Sequence, residues 1–242
     1  MKFSKLLVAL GMLVGVGLAG VGSAHAQVAS KRVTVQFKST TGKNLQASRT
    51  FYLPNDGVST VSGSDQLIKG YIPYDGGKTY TYKNCPRTLT IRYSKLSTVA
   101  TKVGKYYMQQ INAYRVTQGL AKLRGNSDLK RKATVRANEL WIQTSHTRPN
   151  GESYNTKNSG YAEVMAVFPS CFHSVVGSGA YVEYRKSGTL DYKETAATAS
   201  NELLTIDAQH RDTELNTWSK YSEVAFSFKP DGSGMMAQLF KL

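Results

Sequence analysis

Apolar and polar residues alternate between positions 28 and 95. Val33, Val35 and Phe37 fall on one side and Thr34, Gln36 and Lys38 on the other, the two-residue period of a half-buried strand. Thr50–Leu53, Ile68–Ile72, Thr79–Tyr82 and Leu89–Tyr93 read as further short strands. Gly42 ends the first strand, and Asp75-Gly76-Gly77 is a turn signal ahead of Thr79. Short β-rich runs separated by turn residues predict a small all-β module.

The period changes near Lys95. Val103, Tyr107, Ile111 and Tyr114 recur at helical spacing, and Gly119 stops that helix. Asn126-Ser127-Asp128 offers an N-cap to a second helix, on which Leu129, Ala133, Arg136, Ala137 and Leu140 follow at three- and four-residue steps. This helix runs into Trp141 and ends near His146. Tyr161–Phe168 is apolar, with one acid, Glu163, inside it. Residues 191–206 predict a third helix, with Tyr192, Ala196, Ala199, Leu203 and Ile206 on one side. Ser222–Phe228 and Met235–Phe240 flank Pro230-Asp231-Gly232 and predict a terminal antiparallel hairpin. Helices on either side of a small antiparallel sheet predict an α/β layered domain over 98–242, after a β module over 27–97.

Charge and the first residues add a location. The 242 residues carry a formal charge of +15. Lys130-Arg131-Lys132 sits on a helix and reads as a solvated face. The alternative for the basic surface is attraction to an anionic polymer or lipid headgroup. Nucleic acid is not expected, because no nucleic-acid motif is present. Residues 1–26 have the pattern of a signal peptide: Lys2 and Lys5, an apolar run from Leu6 to Val21, then Ala24-x-Ala26 as a cleavage site. No transmembrane span is expected once it is removed. An exported chain with two cysteines, Cys85 and Cys171, permits one disulfide, which would pin the two parts together; two buried thiols is the other reading.

The candidate chemistry centres on Ser145-His146-Thr147-Arg148-Pro149-Asn150-Gly151, with Glu163 and His210 far along the chain. Two imidazoles and a carboxylate suit a divalent metal such as zinc, or imidazole–carboxylate hydrogen bonds with no metal. Arg148 and Arg211 each follow one of these histidines; structural ion pairing is the default for both, anion contact the alternative. Cys171 and His173 lie two apart, as a thiol–imidazole pair would on a strand, but nothing else supports a Cys nucleophile. No Gly-x-Ser-x-Gly, phosphate-binding glycine loop, HExxH or tandem-Cys metal motif is present.

These motifs carry two resemblances. Ile111–Arg115, Gly119–Leu123, Leu129–Leu140, Ser145–Gly151, Ala162–Ala166, Asp207–Arg211 and the hairpin, in that order, resemble the CAP superfamily. This superfamily, also called the SCP domain, comprises cysteine-rich secretory, antigen 5 and pathogenesis-related 1 proteins. The chain looks most like the bacterial branch. The resemblance implies an α-β-α sandwich with a shallow cleft lined by His146, Glu163, His210 and a second acid. Asp207 takes the place of that acid, and Glu202 competes for it. Ala162 and Val164 stand where the family usually has Gly and Asn, and Val164 lacks the amide that could hold the local loop. About 65 residues of the β module, with a first strand, the Thr41-Gly42 turn, Ile68-Lys69-Gly70-Tyr71 and the closing Thr90-Ile91-Arg92-Tyr93 strand, resemble mucin-binding-type repeats of bacterial surface proteins, which implies a β-grasp-like adhesion or spacer module. Together these imply a secreted, non-catalytic protein associated non-covalently with the cell surface, binding a lipid, glycan or protein ligand in its cleft. Anionic cell-wall polymers are the expected wall partners. The alternative is a metal-dependent hydrolase in which His146 and His210 hold the metal and Glu163 is the base.

Overall fold

The structure is a computed structural model and describes residues 28–155, 160–169, 180–206 and 208–242. The leader, Cys171, His173 and Asp207 lie outside the described residues. Among the described residues no helix is long and apolar enough to cross a membrane.

The N-terminal region is all-β. It comprises β1 (Ser30–Ser39), β2 (Asn44–Pro54), β3 (Thr60–Ser62), β4 (Tyr71–Pro73), β5 (Thr79–Thr81) and β6 (Thr88–Lys95). The larger sheet has the order β2-β1-β6-β4; β1 runs antiparallel to β2 and parallel to β6. Val33, Val35 and Phe37 are buried in β1, as their alternation predicts, and pack with Leu53, Leu89, Ile91 and Tyr93. β3 and β5 form a separate two-stranded ribbon. Only the end of the expected Ile68–Ile72 strand pairs, because the chain turns at Lys69-Gly70, with Tyr71 N donating to Ile68 O, before β4 begins. Cys85 is a free thiol in this core, and burial pushes it up from its ordinary value.

No linker follows: β6 ends at Lys95 and α1 (Leu96–Thr117) begins at Leu96, earlier than the helical spacing from Val103 suggested. Gly119, at φ +73°, closes α1. Its amide donates to Val116 O and the next amide, of Leu120, to Arg115 O, the paired bonds of a Schellman cap. The β region docks on the rest through its 73–77 turn. Leu190 N donates to Tyr74 O, Gly77 N to Gly188 O, and the Tyr184 hydroxyl to Pro73 O. A Cβ on Gly76 would lie 2.5 Å from the Tyr184 hydroxyl, so this approach requires glycine. Asp75 is buried behind the turn. Its carboxylate accepts from the Arg92 amide, from Arg92 Nε and Nη2, and from Lys78.

The remaining elements are α2 (Ser127–Glu139), β7 (Tyr161–Phe168), α3 (Tyr192–Asn201), a π-helical turn (Glu202–Ile206), α4 (Ala208–Glu214), β8 (Tyr221–Phe228) and β9 (Gly234–Lys241). The second and third expected helices both need correction. α2 ends at Glu139 rather than reaching Trp141. The run from 191 breaks into α3 and the π turn, and a further short helix, α4, follows and carries His210.

β9 is the centre of an antiparallel sheet of order β7-β9-β8. Strand parity sorts its two faces. Val164, Ala166, Phe168, Val224, Phe226, Phe228, Met236 and Phe240 pack with Val103, Tyr107 and Ile111 of α1 and Ala196 and Ala199 of α3. Ala225, Met235, Ala237 and Leu239 pack with Leu129, Ala133, Ala137 and Leu140 of α2. This is an α-β-α sandwich.

Candidate functional site

Glu163 lies in the odd-numbered set of β7, so it points toward α2. There Arg136 occupies the same helix face as Leu129, Ala133 and Leu140. Both side chains are fully buried, and Arg136 Nε donates to Glu163 Oε1. Its Nη2 donates to Ser145 O, which fixes the chain just ahead of His146. Burying this much charge is tolerable because each ion neutralises the other and both are hydrogen-bonded.

His146 Nδ1 is 3.0 Å from Glu163 Oε2. Asn155 holds the other side of this corner. Its Oδ1 accepts from Glu163 N at 2.6 Å, and its Nδ2 lies 3.1 Å from His146 Nδ1. The amide orientation is thereby fixed, with the NH2 group facing the ring. Nδ1 therefore meets a carboxylate acceptor and an amide donor at nearly equal distance. The charge-assisted bond is the stronger, roughly twice a neutral one, so Nδ1 carries the hydrogen and donates to Glu163. Nε2 is then the ring acceptor left to a ligand. Asn155 also supplies an amide at a corner where Val164 cannot.

The loop that carries His146 is tied from within. Thr147 and Ser153 form an isolated bridge, Arg148 N donates to Glu152 O, and the Arg148-Pro149-Asn150-Gly151 turn closes with Gly151 N on Arg148 O. Arg148 forks onto Glu139 at 2.8 and 2.9 Å, also pairs with Glu152, and lies over the Tyr154 ring. The Arg148 guanidinium holds the Glu139 carboxyl below its ordinary value. Arg148 is thus a structural ion-pairing residue. Arg211 lies 3.8 Å from its neighbour Asp212.

The His210 ring comes within 6.4 Å of the His146 ring, centroid to centroid. The structure therefore brings His146, Glu163 and His210 to one place, although they are spread over 65 positions of the sequence. Glu202 sits in the π turn. Beside α4 an open groove of about 490 Å³ is lined by Ala162, Gln209, Asp212, Thr213, Asn216 and Trp218. Among the described residues, which leave out Asp207, no group of three His, Cys, Asp or Glu side chains could hold a metal, and Glu163 is engaged on both oxygens. A zinc centre needs at least three protein ligands. The residues missed by sequence reading are Arg136, visible only as an arginine within an apolar helix stripe, and Asn155, which no pattern marks.

The far end of α4 holds a second buried acid. Glu214 meets Tyr107 of α1 and Gln238 of β9 on the opposite face of the sheet. Gln238 Nε2 donates to Ser222 Oγ and to Glu214 Oε2, so Gln238 Oε1 can only accept. The Tyr107 hydroxyl lies 2.7 Å from both Gln238 Oε1 and Glu214 Oε1. A tyrosine has one proton. Both contacts are hydrogen bonds only if Tyr107 donates to Gln238 and Glu214, protonated, donates to Tyr107. Burial pushes the Glu214 carboxyl up to about 7, with the Gln238 amide and Arg115 opposing the rise. Arg115, also buried, donates to the backbone carbonyls of Glu214 and Asn216 rather than to the carboxyl.

A sandwich of this order, with a His-Glu corner and a second histidine beside it, is the architecture expected of a CAP domain. The model of the cysteine-rich secretory protein (CAP) family matches residues 108–240, and the chain belongs to that family. Among solved structures, an outer surface protein from Borrelia burgdorferi is 15% identical over 58% of this chain and 92% of its own, with a TM-score of 0.42. A cysteine-rich secretory protein from Staphylococcus aureus is 15% identical over 80% of this chain and 63% of its own, with a TM-score of 0.37. No curated protein matches the sequence.

Proposed function

We propose that this chain is an exported binding protein whose cleft, at His146, Glu163 and His210, takes a lipid, glycan or protein ligand without turning it over. The observation that carries this reading is the engagement of Glu163. A general base needs a carboxylate oxygen within reach of the proton it removes. One oxygen of Glu163 accepts from Arg136 and the other from His146, and the side chain has no solvent exposure. It supports the cleft instead, by aligning His146. His146, 38% exposed, is the group a ligand meets. The signal-like leader supports export, and the charge of +15 supports retention on an anionic wall or lipid surface.

Binding to isolated cell walls across a salt series tests the electrostatic part. Binding should fall steeply as salt shortens the Debye length from about 10 Å at 0.1 M; salt-indifferent binding contradicts it. Metal analysis of the purified protein beside H146A and H210A tests the competing hydrolase. Stoichiometric metal that both variants lose, together with peptidase or esterase turnover, would replace the binding reading.

A further inference from the structure

The β region contains a cavity that the cleft reading leaves unused. It holds about 340 Å³, within the roughly 300–1,000 Å³ of small-molecule sites. Its origin is geometric. The inner face of β1 runs for ten residues, whereas β3 and β5 have three each. At about 3.3 Å per residue the sheet extends some three times farther than the ribbon beside it. Apolar side chains are left lining open space, among them Val35, Phe37, Phe51 and Ile91.

The polar groups are arranged unequally around this space. Arg49 pairs in register with Val35, and Gln46 with Phe37, so both side chains emerge on the inner face of β2. Arg49 lines the cavity and forms no ion pair among the described residues. Asp65, on another wall, accepts from the Ser62 amide at 2.7 Å. One side thus offers a cation, and another offers a carboxylate. An anionic end of a ligand is drawn to β2 and kept from Asp65.

We propose that this cavity binds a small aromatic carboxylate, its ring over Phe37 and Phe51 and its carboxylate on Arg49. Planar rings suit a site with two phenylalanines, where offset or edge contacts add to area burial. The guanidinium fork matches a carboxylate in two bonds. The site is independent of the CAP cleft.

Fluorescence titration of the full chain with 2-naphthoate, beside the isosteric neutral 2-naphthamide, tests this. Naphthoate should bind saturably and at least tenfold more tightly than the amide. R49Q, at an exposed side chain, should abolish that preference while leaving amide binding unchanged. F51A should weaken both, and H146A neither. Absence of saturable naphthoate binding, equal binding of the two probes, or an unchanged preference in R49Q would overturn the proposal. So would loss of binding in H146A, which would place the probe in the other site.

Discussion

Glu163 and Glu214 are both buried, on opposite faces of the same three-stranded sheet, and they are accommodated in opposite ways. Glu163 faces α2, where Arg136 and His146 supply N–H donors to a charged carboxylate. Glu214 faces α1, where Tyr107 and Gln238 form a neutral network that closes only with a proton on the acid. Burial alone does not set the charge of a carboxyl; the protons its neighbours can offer decide it. The first arrangement aligns a histidine at the surface. The second fixes the end of the short helix that carries the other histidine.

The largest effect should come from removing the cation that Glu163 requires. R136M should cost about 3–5 kcal/mol, the usual result of leaving one buried ion unpaired. The double substitution R136M/E163L should recover much of that loss. Denaturant midpoints measure both, and a double variant no better than R136M would show that the pair is not a charge-compensation unit.

E214Q should act in the other direction. The ordinary carboxyl value is 4.5 and the folded one about 7, so the folded protein binds more protons than the unfolded one between them. Stability attributable to this group is present below 4.5, declines as pH rises toward 7, and stays low above it. Glutamine reproduces the neutral acid's hydrogen bonds without an ionisation. E214Q should therefore match the parent near pH 4.5 and exceed it by on the order of 3 kcal/mol at pH 8. A constant difference across that range would show that Glu214 is charged throughout.

Smaller effects should follow at the edges of the first site. N155A removes the amide clamp on Glu163 and should cost about 1 kcal/mol, with faster hydrogen exchange at the Glu163 amide. E139Q breaks the Arg148 fork and should cost at most about 1 kcal/mol. Arg148 lowers the folded Glu139 carboxyl below its ordinary value. The contribution is therefore present above that value and lost as pH falls through the folded one. Thermal melts at pH 7 and pH 3 should show the E139Q cost shrinking in acid.

How far these two regions could be read in advance depends on the range of the interaction. Alternation exposed the inward face of β1, and helical spacing exposed the α2 face, because both signals are local. The terminal hairpin was equally plain from its turn. Residues 191–206 showed a helical stripe, but a change to π geometry leaves that stripe almost intact, so the break before α4 was hidden. Arg136 stood visibly out of place in an apolar stripe, yet its partner lies 27 positions away. Asp75-Gly76-Gly77 looked like an ordinary turn. The contact of its Gly76 with Tyr184 depends on a segment more than 100 residues later. The contact of His146 with Glu163 was suggested by family resemblance, not by spacing. Nothing local pointed to Asn155 or to the Tyr107–Glu214–Gln238 network.

The tautomer of His146 tests the account most directly, because the cleft reading depends on Glu163 acting as an acceptor for that ring. Nitrogen-15 NMR of the imidazole, at a pH where the ring is neutral, reads it without substitution. Hydrogen is expected on Nδ1, with Nε2 bare. Hydrogen on Nε2, with a bare Nδ1 accepting from Asn155, would contradict it and would leave a Glu163 oxygen free to act as a base.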